Sequence, residues 1–111
     1  MLRQRSHRDQ LRANVRVRDA VSGTELGYLL DLSPNGLGVA GRGAAPAPEV
    51  NRLRLELPVR IRDRRWLEVP VEYRWHELRI GDRWHAGFRL RGVDDTDMAL
   101  LEHLMTWYAD P

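Results

Sequence analysis

The 111-residue chain contains no cysteine, no lysine and no long hydrophobic run. Because cysteine is absent, disulfide bonds and thiolate metal sites are excluded. No apolar stretch approaches the about 20 residues that a transmembrane helix needs. The first residues also lack the apolar core of a secretory signal. We therefore expect a single domain that is cytoplasmic and does not insert into a membrane.

The basic residues are all arginine, and they are distributed unevenly. Residues 1–18 hold six arginines against one aspartate, a net charge of +5, whereas the remainder of the chain carries −3. Arginine presents planar, forked donors that clamp phosphates and stack on bases. We predict that residues 1–12 form a flexible arm that meets an anionic partner. A merely solvated terminus is the alternative interpretation. The arginines of this arm are Arg3, Arg5, Arg8 and Arg12.

Apolar and polar residues alternate with a period of two through most of residues 13–90, a pattern typical of β-strands. Pro58 lies in the clearest of these runs and indicates an edge position or a strand end. Residues 41–50 contain two prolines and predict a loop. From about residue 96 to 108 the apolar spacing becomes helical, after a cluster of aspartates that suits a helix start. The sequence predicts a mainly β domain over residues 13–111, a small six-stranded antiparallel barrel with a C-terminal helix.

The same alternation predicts which side chains are buried. The predicted buried face of the second strand consists of its alternating apolar residues, Leu26, Tyr28, Leu30 and Leu32. Asp31 and Ser33 would then project from the opposite face. We expect Trp66 at the surface, because it falls among polar positions, and the tryptophans at 75, 84 and 107 in the core or at a barrel end.

The chain shows no pattern of a catalytic or metal site. The histidines are scattered at positions 7, 76, 85 and 103, without metal-ligand spacing. There is no nucleophile elbow and no glycine-rich phosphate loop with lysine. We therefore predict a protein that is not an enzyme and that holds no metal or cofactor.

The segment from Asp31 to Gly36 reads Asp-Leu-Ser-Pro-Asn-Gly. Pro34, Asn35 and Gly36 together are typical of an ordinary tight turn, in which Asp31 or Ser33 bonds the local backbone. The same residue types also suit a ligand site. A carboxylate accepts two donors from the Watson–Crick edge of guanine, a hydroxyl can donate to phosphate, and a glycine lets a ligand approach the backbone closely.

Taken together, the layout resembles the PilZ domain, the family of small bacterial cyclic di-GMP receptors. The matching features in chain order are an arginine-rich start, a first strand (Ala13 to Arg18), an Asp-x-Ser-x-x-Gly motif (Asp31, Ser33, Gly36), a Gly-Phe-x-Leu strand (Gly87 to Leu90) and a terminal helix with an acidic start. The first family motif, Arg-x-x-x-Arg, matches imperfectly. If Arg8 is its second arginine, Gln4 stands in the place of the first, flanked by Arg3 and Arg5; in the other register the pair is Arg8 and Arg12.

The resemblance implies a cyclic di-GMP receptor in second-messenger signalling. Its binding residues would be Arg3, Arg5, Arg8, Arg12, Asp31, Ser33 and Gly36. The arm would become ordered around the ligand and would signal in trans to an unidentified partner protein in motility, adhesion or biofilm control. Two alternatives stay open. Gln4 favours a PilZ-like interaction module that does not bind nucleotide. The least favoured is a basic barrel that binds single-stranded nucleic acid, which requires an exposed aromatic platform.

Overall fold

The computed structural model describes residues 15–108. Over this range, six strands close into an antiparallel barrel in the order β1-β2-β3-β6-β5-β4, and a helix follows the last strand. The elements are β1 (Arg16–Asp19), β2 (Glu25–Leu32), β3 (Gly36–Arg42), β4 (Arg52–Ile61), β5 (Arg64–Leu78), β6 (Arg83–Leu90) and the C-terminal helix (Asp95–Tyr108). The predicted mainly β barrel with a C-terminal helix is confirmed. The predicted arm at residues 1–12 lies outside the described residues.

One hydrophobic core fills the barrel and extends under the helix. The inward residues of β4 and β5 are its centre, and Leu53, Leu55 and Leu67 are fully buried. Leu101 and Leu104 join this core from the helix. Among the described residues no charged or polar side chain is buried. The core is therefore made of apolar side chains, and the burial of each large one contributes about 1.5–3 kcal/mol.

The helix begins where the aspartate cluster predicts. The Asp94 carboxylate accepts a hydrogen bond from the backbone N–H of Asp97 at 2.8 Å. Such a cap satisfies one of the backbone donors that the first turn of a helix leaves free. No helix within residues 15–108 is long and apolar enough to cross a membrane.

The predicted buried face of β2 is wrong in part, because the strand contains a β-bulge. Leu29 lies opposite Val39, and Asp31 lies opposite Gly38, so Leu30 is one extra residue without a partner on β3. A bulge of one residue reverses the alternation on either side of it. Leu29 is accordingly buried and Leu32 stays buried, whereas Tyr28 and Leu30 are 44% and 43% exposed. Asp31 still projects outward, as predicted.

The prediction that Trp75 lies in the core or at a barrel end is wrong, because β5 contains a second bulge. Tyr73 pairs with Phe88 and Trp75 pairs with Gly87, so Arg74 is the extra residue of β5. Without the bulge Trp75 would share the inward face of Tyr73; with it, the indole turns outward and is 50% exposed. Trp84 and Trp107 are buried and Trp66 is exposed, as predicted.

Two strand ends also differ from the prediction. Pro58 neither ends β4 nor lies at a free edge. The strand continues to Ile61 in a closed barrel, and Pro58 lies where the pairing with β5 shifts between Glu56 and Ile61. This local irregularity tolerates a residue without an N–H, and Val59 beside it is 41% exposed.

The predicted loop at 41–50 begins later, because β3 continues to Arg42 in full register with β6.

Candidate functional site

The outer face of β2, β3, β6 and β5 carries a row of four residues in register. Asp31 pairs with Gly38, Gly38 with Gly87, and Gly87 with Trp75. We call these four residues the Asp31 row. The two end residues carry functional groups, and the two middle residues carry no side chain. The missing side chains at Gly38 and Gly87 leave space that the Asp31 carboxylate and the Trp75 indole occupy.

The side chain of Asp31 lies over Gly38, and the side chain of Trp75 lies over Gly87. A Cβ added to Gly38 would lie 2.8 Å from an Asp31 carboxylate oxygen, and a Cβ added to Gly87 would lie 2.4 Å from the Trp75 indole nitrogen. Any larger residue at either position would displace the group that leans over it. Each end residue also follows directly after a bulge, at Leu30 or Arg74. Bulges often change the direction of a side chain beside a functional site. Here the two bulges bring Asp31 and Trp75 into one row.

The Asp31 carboxylate has no hydrogen-bond or ion-pair partner in the described part of the chain. It thus does not serve the local turn, although a turn aspartate ordinarily bonds the backbone near it. An unpartnered carboxylate keeps all its lone pairs for a donor from outside.

Ser33 and Gly36 close the turn that precedes β3. The Ser33 N–H donates to the Gly36 carbonyl at 2.9 Å, and the Gly36 N–H donates to the Ser33 carbonyl at 3.3 Å. The Ser33 hydroxyl is exposed and makes only a long contact of 3.4 Å with the Gly36 carbonyl. The turn is thus held by its backbone, which leaves the hydroxyl available to a ligand.

Gly36 has a packing role that the sequence pattern does not reveal. A Cβ at this position would lie 2.3 Å from the Phe88 carbonyl oxygen of β6. Only glycine lets the start of β3 approach β6 this closely. The residue thereby fixes the motif turn against the strand that carries Gly87.

These groups surround an open depression of about 390 Å³. Asp31, Ser33 and Gly36 line it on one side, and Trp75 lines it on the other. Two arginines, Arg74 and Arg89, also line the depression. Arg74 is paired with Glu72 at 3.1 Å, whereas Arg89 is exposed and has no carboxylate partner among the described residues. Within residues 15–108, the depression therefore offers one unpaired carboxylate, that of Asp31, and one unpaired guanidinium, that of Arg89.

The described chain starts beside β2, the strand that carries Asp31. Val15, its first residue, accepts a hydrogen bond from the Leu29 N–H at 2.8 Å. β1 runs antiparallel to β2, so the chain before Val15 leads toward the Asp31 end of β2. Arg12 precedes Val15 by three residues, a span of about 10 Å when extended, and Arg8 precedes it by seven, about 24 Å. The four predicted arginines, Arg3, Arg5, Arg8 and Arg12, lie outside the described residues, and their contacts stay predictions.

The sequence matches the family model of the PilZ domain over residues 2–107. The chain belongs to the PilZ domain family. PilZ domains are binding and adaptor modules, and the match covers both the arginine segment and the barrel. No curated protein and no solved structure matches the chain.

Sequence reasoning missed half of this candidate PilZ site. Gly38, Gly87 and Trp75 complete the Asp31 row, and Arg89 supplies the free guanidinium. A partial signal was available, because Gly36 and Gly38 alternate on one face of a strand and Gly87 belongs to the Gly-Phe-x-Leu run. Their partnership with Asp31 and Trp75 depends on strand order and on two bulges, which no local pattern reports.

Proposed function

We propose that this PilZ domain is a cyclic di-GMP receptor in which the Asp31 row holds a guanine base. The observation that carries the proposal is the unpartnered Asp31 carboxylate, which lies over Gly38 in line with Trp75. Guanine presents two adjacent N–H donors on its Watson–Crick edge, and a carboxylate accepts both. The Trp75 indole, which covers Gly87 and is 50% exposed, offers the base an aromatic partner near that carboxylate.

The phosphates of the ligand need cations, and the site can supply them from two sources. Arg89 lies in the depression without a carboxylate partner. The N-terminal arginines are the second source, because Arg12 and Arg8 precede Val15, which pairs with Leu29 of the strand that carries Asp31, by only three and seven residues. A charge-assisted hydrogen bond to phosphate is about twice as strong as a neutral one. In this proposal Ser33 donates its hydroxyl to a phosphate or ribose oxygen, and Gly36 holds the turn that presents it.

Ligand binding would also order the arm. The arm carries an excess of positive charge, and the arrival of two phosphates supplies the negative charge that fixes it against the barrel. The ordered arm then forms a surface that a partner protein in the cytoplasm reads. On this account the protein is a non-enzymatic adaptor, and its output depends on the contact with that partner.

One sequence feature favours a second candidate, a PilZ-like interaction module that does not bind nucleotide. Gln4 occupies the place of a motif arginine in one of the two registers.

Binding to single-stranded nucleic acid has weaker support. Trp66, the aromatic residue that the sequence pattern predicts at the surface, is covered by the Arg54 guanidinium at 4.1 Å from its ring centre. Its face is therefore less available for base stacking.

Matched substitutions test the proposal. Trp75→Ala and Asp31→Ala should each weaken cyclic di-GMP binding by about 10-fold or more, since a charge-assisted bond or a base stack is worth roughly 1.5–3 kcal/mol. Trp66→Ala and Asp82→Ala remove an exposed residue of the same type elsewhere and should leave the affinity unchanged. Calorimetric titration of the five proteins with cyclic di-GMP measures these affinities. Equal losses at the row and at the control positions would contradict the assignment of the site.

A further inference from the structure

A second groove lies on the same outer sheet face, one row farther from the motif turn. Tyr28 pairs with Ala40, and Ala40 pairs with His85, which places these residues about 7 Å along the strands from the Asp31 row. Because the side chain of Ala40 is small, it leaves a groove between the larger side chains of Tyr28 and His85, which flank it. The groove encloses about 430 Å³ and is lined largely by apolar atoms. Tyr28 is exposed at its edge, where the bulge of β2 has turned it outward.

Two arginines stand at the far end of this groove. Arg42 of β3 and Arg83 of β6 are directly opposite each other in the strand register, and both line the groove. Both side chains are exposed, and neither has a carboxylate partner in the described part of the chain. Like charges placed directly opposite on neighbouring strands repel and destabilise the pair. An anion between the two guanidinium groups would remove that repulsion.

The nearby charges do not neutralise this pair. Glu25 also lines the groove, but Arg16 engages its carboxylate at 3.4 Å. Arg79, which follows next along the hairpin, is paired with Glu77 at 2.5 Å. Asp82 adjoins Arg83 in the hairpin, but its carboxylate forms no ion pair with Arg42 or Arg83 in the described part of the chain. The position between the two guanidinium groups is therefore available to an anion from outside the chain.

We propose that this second groove, lined by Tyr28, Ala40, Arg42, Arg83 and His85, binds a small planar aromatic anion. The aromatic ring lies over Ala40 against the Tyr28 ring, and a phosphate or carboxylate bridges Arg42 and Arg83. The apolar lining selects the ring, and the cross-strand arginines select the charge. The assignment uses neither Asp31 nor Trp75. It is therefore independent of cyclic di-GMP recognition and goes beyond the function proposed above.

The test is calorimetric titration of the full chain with 1-naphthyl phosphate, a planar aromatic monoester. Inorganic phosphate and 1-naphthol each supply half of the proposed ligand and should bind at least 10-fold more weakly. Arg42→Ala and Arg83→Ala should each weaken binding of 1-naphthyl phosphate by about 10- to 100-fold, the equivalent of one charge-assisted bond. Arg60→Ala is the matched control, because Arg60 is also exposed and without a carboxylate partner among the described residues. It should leave the affinity unchanged.

Several results would overturn the proposal. One is that the protein does not bind 1-naphthyl phosphate at millimolar concentration. Another is that it binds inorganic phosphate as tightly as 1-naphthyl phosphate. The third is that Arg42→Ala and Arg83→Ala leave the affinity for 1-naphthyl phosphate unchanged. Arg42→Gln provides a check on folding, since relief of the repulsion should keep or raise the melting temperature of the ligand-free protein. Asp31→Ala should not change binding of 1-naphthyl phosphate, and Arg42→Gln should not change binding of cyclic di-GMP. The two sites can therefore fail separately.

Discussion

Gly38→Ala is the sharpest probe of the candidate site, because the structure predicts a loss of ligand binding without a loss of stability. The added methyl group would lie 2.8 Å from one Asp31 carboxylate oxygen and 3.0 Å from the other. Both atoms are the far end of a flexible, exposed side chain. The carboxylate can therefore swing away without moving the barrel, but it then leaves the position from which it would meet a guanine.

The magnitudes follow from this geometry. Loss of a charge-assisted contact of roughly 1.5–3 kcal/mol weakens cyclic di-GMP binding by about 10- to 100-fold. Replacing glycine in a strand stabilises the chain by about 0.5–1 kcal/mol through backbone entropy, and this gain offsets the displacement of Asp31. We expect the melting temperature to stay within a few degrees of wild type.

Gly36→Ala is the matched contrast, because its methyl group would meet backbone. The nearest atom is the Phe88 carbonyl oxygen at 2.3 Å, which can move only with β6. Overpacking of this kind costs about 1–3 kcal/mol, and each 1 kcal/mol lowers the melting temperature of a domain of this size by about 4–8 °C. Calorimetric titration and thermal unfolding of both variants measure the two effects. Unchanged affinity in a folded Gly38→Ala protein would refute the role given to the Asp31 row.

The remaining predictions concern the arm and the bulge of β2. Arg8→Ala should weaken cyclic di-GMP binding by about 10- to 100-fold, and added salt should weaken binding to the wild type, because the arm acts through charge. Unchanged affinity in Arg8→Ala would contradict both registers of the Arg-x-x-x-Arg motif, because each of them contains Arg8. Leu29→Asp should unfold the domain or lower its free energy of unfolding by several kcal/mol, since it buries an unpaired charge, whereas Leu30→Asp should change it by only about 0.5 kcal/mol. Denaturant titration compares the two variants, and similar losses would contradict the bulge.

The sequence predicts the barrel well because its main signal is local. Alternation over five or more residues marks β4 and β5, and the change of period near Asp94 marks the helix. The Asp-x-Ser-x-x-Gly motif is also local, and its turn lies where it was expected. The position of a single-residue bulge, by contrast, cannot be predicted from the local sequence pattern. Leu30 and Arg74 each shift the alternation by one position, so Tyr28 and Trp75 were assigned to the wrong face.

The same two bulges explain why half of the candidate site was missed. Trp75 reads as a core residue until the pairing of β5 with β6 is known. Gly38 and Gly87 read as ordinary small residues until the strand order β2-β3-β6-β5 places them between Asp31 and Trp75. The pairing of Gly38 with Gly87 joins residues that are 49 positions apart and arises only from long-range register. The contributions of Arg3, Arg5, Arg8 and Arg12 stay predictions, because these residues lie outside the described range.

The most direct test of the central claim is calorimetric titration of the wild-type protein with cyclic di-GMP, with cyclic di-AMP as the control. Adenine lacks the two adjacent donors that guanine would present to the Asp31 carboxylate. The account predicts saturable binding of cyclic di-GMP at micromolar affinity or better and at least about 10-fold weaker binding of cyclic di-AMP. Absence of heat with both ligands from a folded sample, or equal affinity for the two, would contradict it.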